Sequence, residues 1–151
     1  MEARMKNPAA VLPGVFDAIK GINSAVAKGG LPEAVLHITH LRASQINGCA
    51  ACIDSGAKQA KKSGETDERL FAVSAWREAP YFTDAECAAL ALTESMTRLC
   101  DRADPVPDEI WNYAKKHFDD RALAALVLHV ATTNLFNRLN VSTHQPAGVW
   151  G

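Results

Sequence analysis

Cys49 and Cys52 stand three residues apart, a spacing at which two thiols can exchange electrons as a dithiol/disulfide pair. The Asn47-Gly48 dipeptide just before them is a turn signal, and it places the pair at the start of a helix. There the unpaired backbone N–H groups favour a thiolate, which is a nucleophile near neutral pH. Two other roles suit the same residues. His37-Ile38-Thr39-His40 precedes the pair, so the four side chains together could ligate zinc, although the two pairs fall on separate predicted helices rather than on a tight knuckle. The cysteines could also simply be buried, but two of them directly after a helix-starting turn fill space poorly. Redox exchange, zinc ligation and burial therefore compete for the pair.

The elements that must position these residues read as helices, because β-branched residues are scattered and no stretch alternates with a period of two. An all-α fold is expected. Pro13 opens a first helix that runs to about Lys28, with Val15, Phe16, Ile19, Ile22 and Val26 as its apolar stripe and Gly29-Gly30 as its stop. A second helix starts at Pro32 and turns Val35, Ile38 and Leu41 inward, while Glu33, His37, His40 and Ser44 recur at helical spacing as a polar stripe. The cysteine helix runs to about Lys62 and closes at Gly64. Thr66 caps a helix reaching Trp76, and Thr83-Asp84-Ala85-Glu86 has the spacing of a capping box that starts a long helix carrying Leu92, Met96 and Leu99 inward. A shorter helix spans Asp108 to His117, and Asp119 or Asp120 starts the last, largely buried one.

The whole chain, 1–151, is expected to form one domain, and its composition excludes several function classes. With 48% hydrophobic and 22% charged residues and a formal net charge of -1, it offers no electrostatic invitation to nucleic acid or to an anionic membrane. The start of the chain mixes charges and shows no apolar core of a secretory signal, so a cytoplasmic location is expected. The longest uncharged run, Ala122 to Asn137, falls short of the roughly 20 apolar residues needed to span a bilayer and reads as a buried helix. In a reducing compartment four cysteines do not form a disulfide framework. Cys87 and Cys100 are expected as small buried hydrophobes, and His129 as a core histidine bonded to backbone or a hydroxyl. Trp76, Tyr81, Phe82 and Trp111 suit packing and interfaces.

The run Leu41-Arg42-Ala43-Ser44-Gln45-Ile46-Asn47-Gly48-Cys49-Ala50-Ala51-Cys52-Ile53-Asp54 is far more specific than a bare Cys-x-x-Cys. It resembles the alkylhydroperoxidase D-like (AhpD-like) family of the carboxymuconolactone decarboxylase superfamily. The resemblance continues through Gly64 to Leu70 and Ala75 to Thr83 and recurs at Asn134 to Asn140, so it covers nearly the whole chain. It implies an all-helical homo-oligomer, a dimer, trimer or hexamer, that acts as a thiol-dependent peroxidase or disulfide reductase. No organic cofactor is implied. Substrates would be hydroperoxides or disulfides, and a dithiol protein would return the electrons. The family pattern makes Cys52 the thiol that attacks peroxide and becomes a sulfenic acid, and Cys49 the thiol that resolves it to a disulfide. Asn134, Asn137 and Arg138 match the family near the chain end and are expected in buried hydrogen bonds or subunit contacts.

Two positions depart from the pattern. The family carries a histidine four residues after the second cysteine, where this chain has Gly56, and a glutamate where this chain has His37. Those two residues form the family's proton relay. Either the chain is a catalytically degenerate relative with a binding or structural role, or the base has moved, with the His37 imidazole reaching into the space that Gly56 leaves beside Cys52. His40 is the second candidate for that place. A decarboxylase acting on a carboxymuconolactone-type acid is the other enzyme class in the superfamily, and the retained cysteine pair argues against it.

Overall fold

The computed structural model describes residues 2–100 and 102–149, and among them there are helices and no strands. In chain order these are α1 (Pro8–Val11), α2 (Val15–Ala27), α3 (Glu33–Ile46), α4 (Ala50–Lys62), α5 (Asp67–Ala72), a 3-10 helix (Val73–Glu78), α6 (Asp84–Thr97), α7 (Asp108–His117) and α8 (Asp120–Ser142). Local capping chemistry sets most of the boundaries. Thr83 and Glu86 form a reciprocal capping box at α6, Thr66 accepts the Arg69 N–H at α5, and Asp119 accepts the Ala122 N–H at α8.

α3 lies at the centre of the packing. Its Val35 joins Ala89 and Leu92 of α6, Ala114 of α7 and Leu123, Leu126 and Val130 of α8 in one apolar cluster. Ile38 and Leu41 join a second, with Ala60 of α4, Val73, Trp76 and Leu90. A helix packed against α4, α6 and α8 at once buries more than one face, so Thr39 and Ser44 are buried along with its apolar residues. Thr39 satisfies its hydroxyl on the Val35 carbonyl at 2.6 Å. No described helix is long and apolar enough to cross a membrane.

The all-α expectation holds, with several local corrections. Pro13 does not open a helix: Asn7 caps the short α1 at Pro8, and α2 starts only at Val15, after Gly14 at φ +81. Phe16 is 39% exposed rather than part of a buried stripe. The segment after Thr66 is not one helix to Trp76, because the non-helical backbone at Ala75 breaks it within the 3-10 stretch. Leu99 lies beyond the end of α6 and is exposed, as is Cys100, while Cys87 is only partly buried.

Candidate active site

The turn between α3 and α4 sets the site. Asn47 ends α3, Gly48 turns the chain at φ +65, and Cys49 becomes the N-cap of α4. The Cys49 N–H donates to the Ser44 carbonyl at 3.0 Å, and the Cys52 N–H donates to Cys49 Sγ at 3.3 Å. From α8, Asn134 and Asn137 accept hydrogen bonds from the Asn47 side chain at 2.9 and 2.8 Å, and Asn137 donates to Ser44 Oγ at 3.1 Å. Asn134 and Asn137 therefore do serve buried hydrogen bonding, and they tie the cysteine turn to the longest helix.

Cys49 and Cys52 are joined as a disulfide, with Cα atoms 5.3 Å apart. Their exposures are 1% and 3%, so each sulfur is reached through a cavity. Cys52 lines one of about 270 Å³ with Phe16, His40, Ser55, Phe136 and Asn140. Cys49 lines another of about 210 Å³ with Gly48, Val141, His144 and Gln145, and Asn140 borders both. Among the described residues no group of three or more His, Cys, Asp or Glu side chains is gathered to hold a metal ion.

The structure gives the space beside Gly56 to His40. A Cβ on Gly56 would lie 2.5 Å from His40 Cδ2 and 2.8 Å from its Nε2, so the glycine is what lets the imidazole of α3 lie against α4. His40 Nε2 sits 3.2 Å from the Cys52 carbonyl oxygen. A carbonyl only accepts, so this nitrogen carries the proton and Nδ1 is left as the ring's acceptor. Burial lowers the His40 pKa, partly offset by the Cys52 carbonyl and reinforced by His37, which keeps the ring neutral. His37 turns elsewhere: its Nε2 is 3.4 Å from Glu33 Oε1 in a geometry that makes no hydrogen bond, and it lines a cavity with His40, Gly56 and Lys58 that does not include Cys52.

His129 lies beside this group, its ring centroid 6.4 Å from that of His40 and its Nε2 2.9 Å from the Leu36 carbonyl, as a core histidine should be. Burial, then the neighbouring His40, push it down to about 4. The unfolded chain takes up this proton near 6.5, before the folded chain does. Its contribution to stability is therefore fully present above pH 6.5 and is lost as pH falls toward 4. We expect urea denaturation to show a loss on the order of 3 kcal/mol from this residue over that window. His129→Gln should flatten that part of the profile. An unchanged slope in the variant would contradict this assignment.

Asn140 is the site residue that the sequence did not single out: its Nδ2 lies 3.2 Å from Cys52 Sγ. The available signal was its spacing, three residues after Asn137 and six after Asn134 along one side of α8.

The chain matches the sequence model of the carboxymuconolactone decarboxylase family over residues 13–95. It is 37% identical over 102 residues to the uncharacterised protein YdfG of Bacillus subtilis, spanning 68% of each chain. It is 31% identical over 118 residues to the uncharacterised protein YnjA of Escherichia coli, spanning 78% of this chain and 63% of that one. A crystal structure of a protein of unknown function from Agrobacterium tumefaciens, proposed to be the antioxidant defence protein AhpD, superposes with a TM-score of 0.88 at 29% identity. The match covers 98% of this chain and 99% of that one. The debrominase Bmp8 shares the fold at a TM-score of 0.79 and 16% identity, covering 91% of this chain and 73% of its own.

Proposed function

The chain belongs to the carboxymuconolactone decarboxylase family, and from that premise we propose that it is a thiol-dependent hydroperoxide reductase working through a Cys49/Cys52 dithiol. The observation that carries this reading is the placement of Cys52 at the wall of a largely apolar cavity while bonded to Cys49. In the reduced protein the Cys52 thiolate attacks the outer peroxide oxygen, the O–O bond breaks, and the OH stays on sulfur. The departing alkoxide takes up the proton that the thiol had given to its base and leaves as the alcohol. Cys52 is then a sulfenic acid. Cys49 attacks that sulfur, water departs, and the disulfide forms. A partner dithiol returns two electrons and two protons by exchange.

In this scheme His40 takes the place of the missing histidine. Its neutral ring borders the same cavity as Cys52, and Nδ1 accepts the thiol proton through cavity water. Counting thiols after one equivalent of an alkyl hydroperoxide tests the reading. Two thiols per chain should disappear and return with a dithiol. The rate of loss should fall about a hundredfold in His40→Ala, the usual scale for a general base, and change little in His37→Ala. If no thiol is lost faster than from a free cysteine, the peroxidase reading fails. If His37→Ala is the slow variant, the role given to His40 fails.

A further inference from the structure

We propose that Asn140, aimed by Asn7, is a catalytic hydrogen-bond donor to the Cys52 sulfur, and that the N-terminal segment therefore completes the redox site. The proposal rests on the redox reading of the pair but concerns a separate property, the chemistry of one sulfur.

The direction of the amides follows from one donor whose identity is certain. The Ala9 backbone N–H can only donate, and it meets the Asn7 side chain at 2.9 Å, so the atom there is Oδ1. Asn7 Nδ2 is thereby turned to Asn140 and donates to its Oδ1 at 2.6 Å. Asn140 in turn must present Nδ2 to Cys52 Sγ, at 3.2 Å. Flipping either amide would set nitrogen against nitrogen or oxygen against oxygen. The chain of donors runs one way and ends on the sulfur.

The segment that carries Asn7 is fastened to the end of α8. The Arg4 N–H donates to the Thr143 carbonyl at 2.9 Å, the Arg4 guanidinium to the Ser142 carbonyl at 3.1 Å, and Gln145 Nε2 to the Met5 carbonyl at 2.9 Å. Asn7 itself is buried. Its carboxamide is thus held in place before any reaction occurs, as a preorganised dipole requires.

The bond to sulfur is worth most when the sulfur is charged. A sulfur in a disulfide accepts weakly, whereas a thiolate is an anion and the same N–H becomes a charge-assisted donor. Reduction leaves Cys52 as that anion: an incoming thiolate takes one sulfur of the disulfide, the S–S electron pair passes to the other, and the second thiol of the reductant closes its own disulfide and releases the pair. Cys49 already has a donor, the Cys52 backbone N–H, which no side-chain substitution removes. Cys52 depends on Asn140 instead. The cavity's other polar side chains are engaged elsewhere, the Ser55 hydroxyl and His40 Nε2 on the Cys52 carbonyl and Asn7 on Asn140, so the Asn140 amide is the side chain that reaches the sulfur.

The test is the rate of iodoacetamide alkylation of Cys52 against pH, in a Cys49→Ser background so that one site thiol is read. Asn140→Ala should raise the apparent pKa by about one unit, a tenfold loss of thiolate at pH below it, in line with one charge-assisted bond. Asn140→Asp, which keeps the shape but replaces the donor with a carboxylate oxygen, should raise it further. Asn7→Asp is the decisive positioning variant, because it still accepts from Ala9 and keeps the α1 cap but cannot donate to Asn140; it should shift the titration in the same direction by less. An Asn140→Asp profile that overlies the parent would overturn the proposal. A shift with Asn140 variants but none with Asn7→Asp would overturn the orienting role of the N-terminal segment. Should the Asn140 variants not fold, Asn7→Asp alone decides. The measurement uses no peroxide, so it stands or falls independently of the thiol count that tests the peroxidase reading.

Discussion

Cys52→Ser is expected to abolish peroxide-driven thiol loss, lowering its rate on the order of a thousandfold or more, the scale on which removing a nucleophile acts. Cys49→Ser should behave differently. It should allow one turnover that stops at a sulfenic acid on Cys52, which a sulfenate-specific dione traps and mass spectrometry locates. The asymmetry is the one the family resemblance implies, and the two sulfurs open on different sides: Cys52 borders the cavity between Phe16 and Phe136, while Cys49 borders the separate one toward His144 and Gln145. Without its partner the sulfenic acid has no thiol to condense with, so further peroxide should carry it to the sulfinic acid. Parental rates in Cys52→Ser, or a trapped adduct on Cys49 in the parent, would reverse the assignment of the two sulfurs.

Glu94→Ala should produce the largest loss of stability among polar substitutions, about 3 to 5 kcal/mol by chemical denaturation. Glu94 Oε1 accepts from Arg42 Nε at 2.6 Å and Trp76 Nε1 at 3.1 Å, and Oε2 from Arg77 at 2.8 Å. The Glu94 and Arg42 side chains are only 8% and 13% exposed, so removing the carboxylate leaves a nearly buried guanidinium and an indole N–H without their acceptor. Arg77 also lies over the Trp76 ring, 4.2 Å from its centroid, which couples the ion pair to the aromatic packing. Burial opposes ionisation of Glu94, but the hydrogen bonds from Arg77, Trp76 and Arg42 outweigh it and hold the carboxyl below its usual range. Its contribution is thus present above the unfolded carboxyl's pKa and is lost as pH falls through the lower folded value. The acid limb of the stability profile should flatten in Glu94→Ala. A loss below about 1 kcal/mol, the scale of exposed pairs, would show that the network is not acting as a buried one.

Much of the fold was legible because the signals that start helices are local. Thr66, Thr83 with Glu86, and Asp119 each cap the helix their sequence context points to, since a side-chain oxygen meets an N–H two or three residues away. Where the structure departs from these local signals, a neighbouring backbone conformation or a distant part of the fold decides. Pro13 suits a first helical position, yet it lies in the turn between α1 and α2, and the left-handed backbone of Gly14 delays the start of α2 to Val15. Phe16 fits a helical stripe, yet its side of α2 meets the open cavity by Cys52.

The residues themselves determined the dithiol, its turn at Asn47-Gly48 and the helical start on which Cys49 sits, because all of these rest on contacts within a few positions along the chain. Tertiary structure alone decided which histidine attends the pair. His37 and His40 are three residues apart and differ by roughly 60° around α3, too little for periodicity to separate them. The packing of α3 on α4, with a hydrogen in place of a side chain at Gly56, selects His40. Likewise only the folded chain brings Asn140 to Cys52 across 88 positions of sequence. A hydrogen bond over such a separation exists only after α8 has packed beside α4, and no local spacing encodes it.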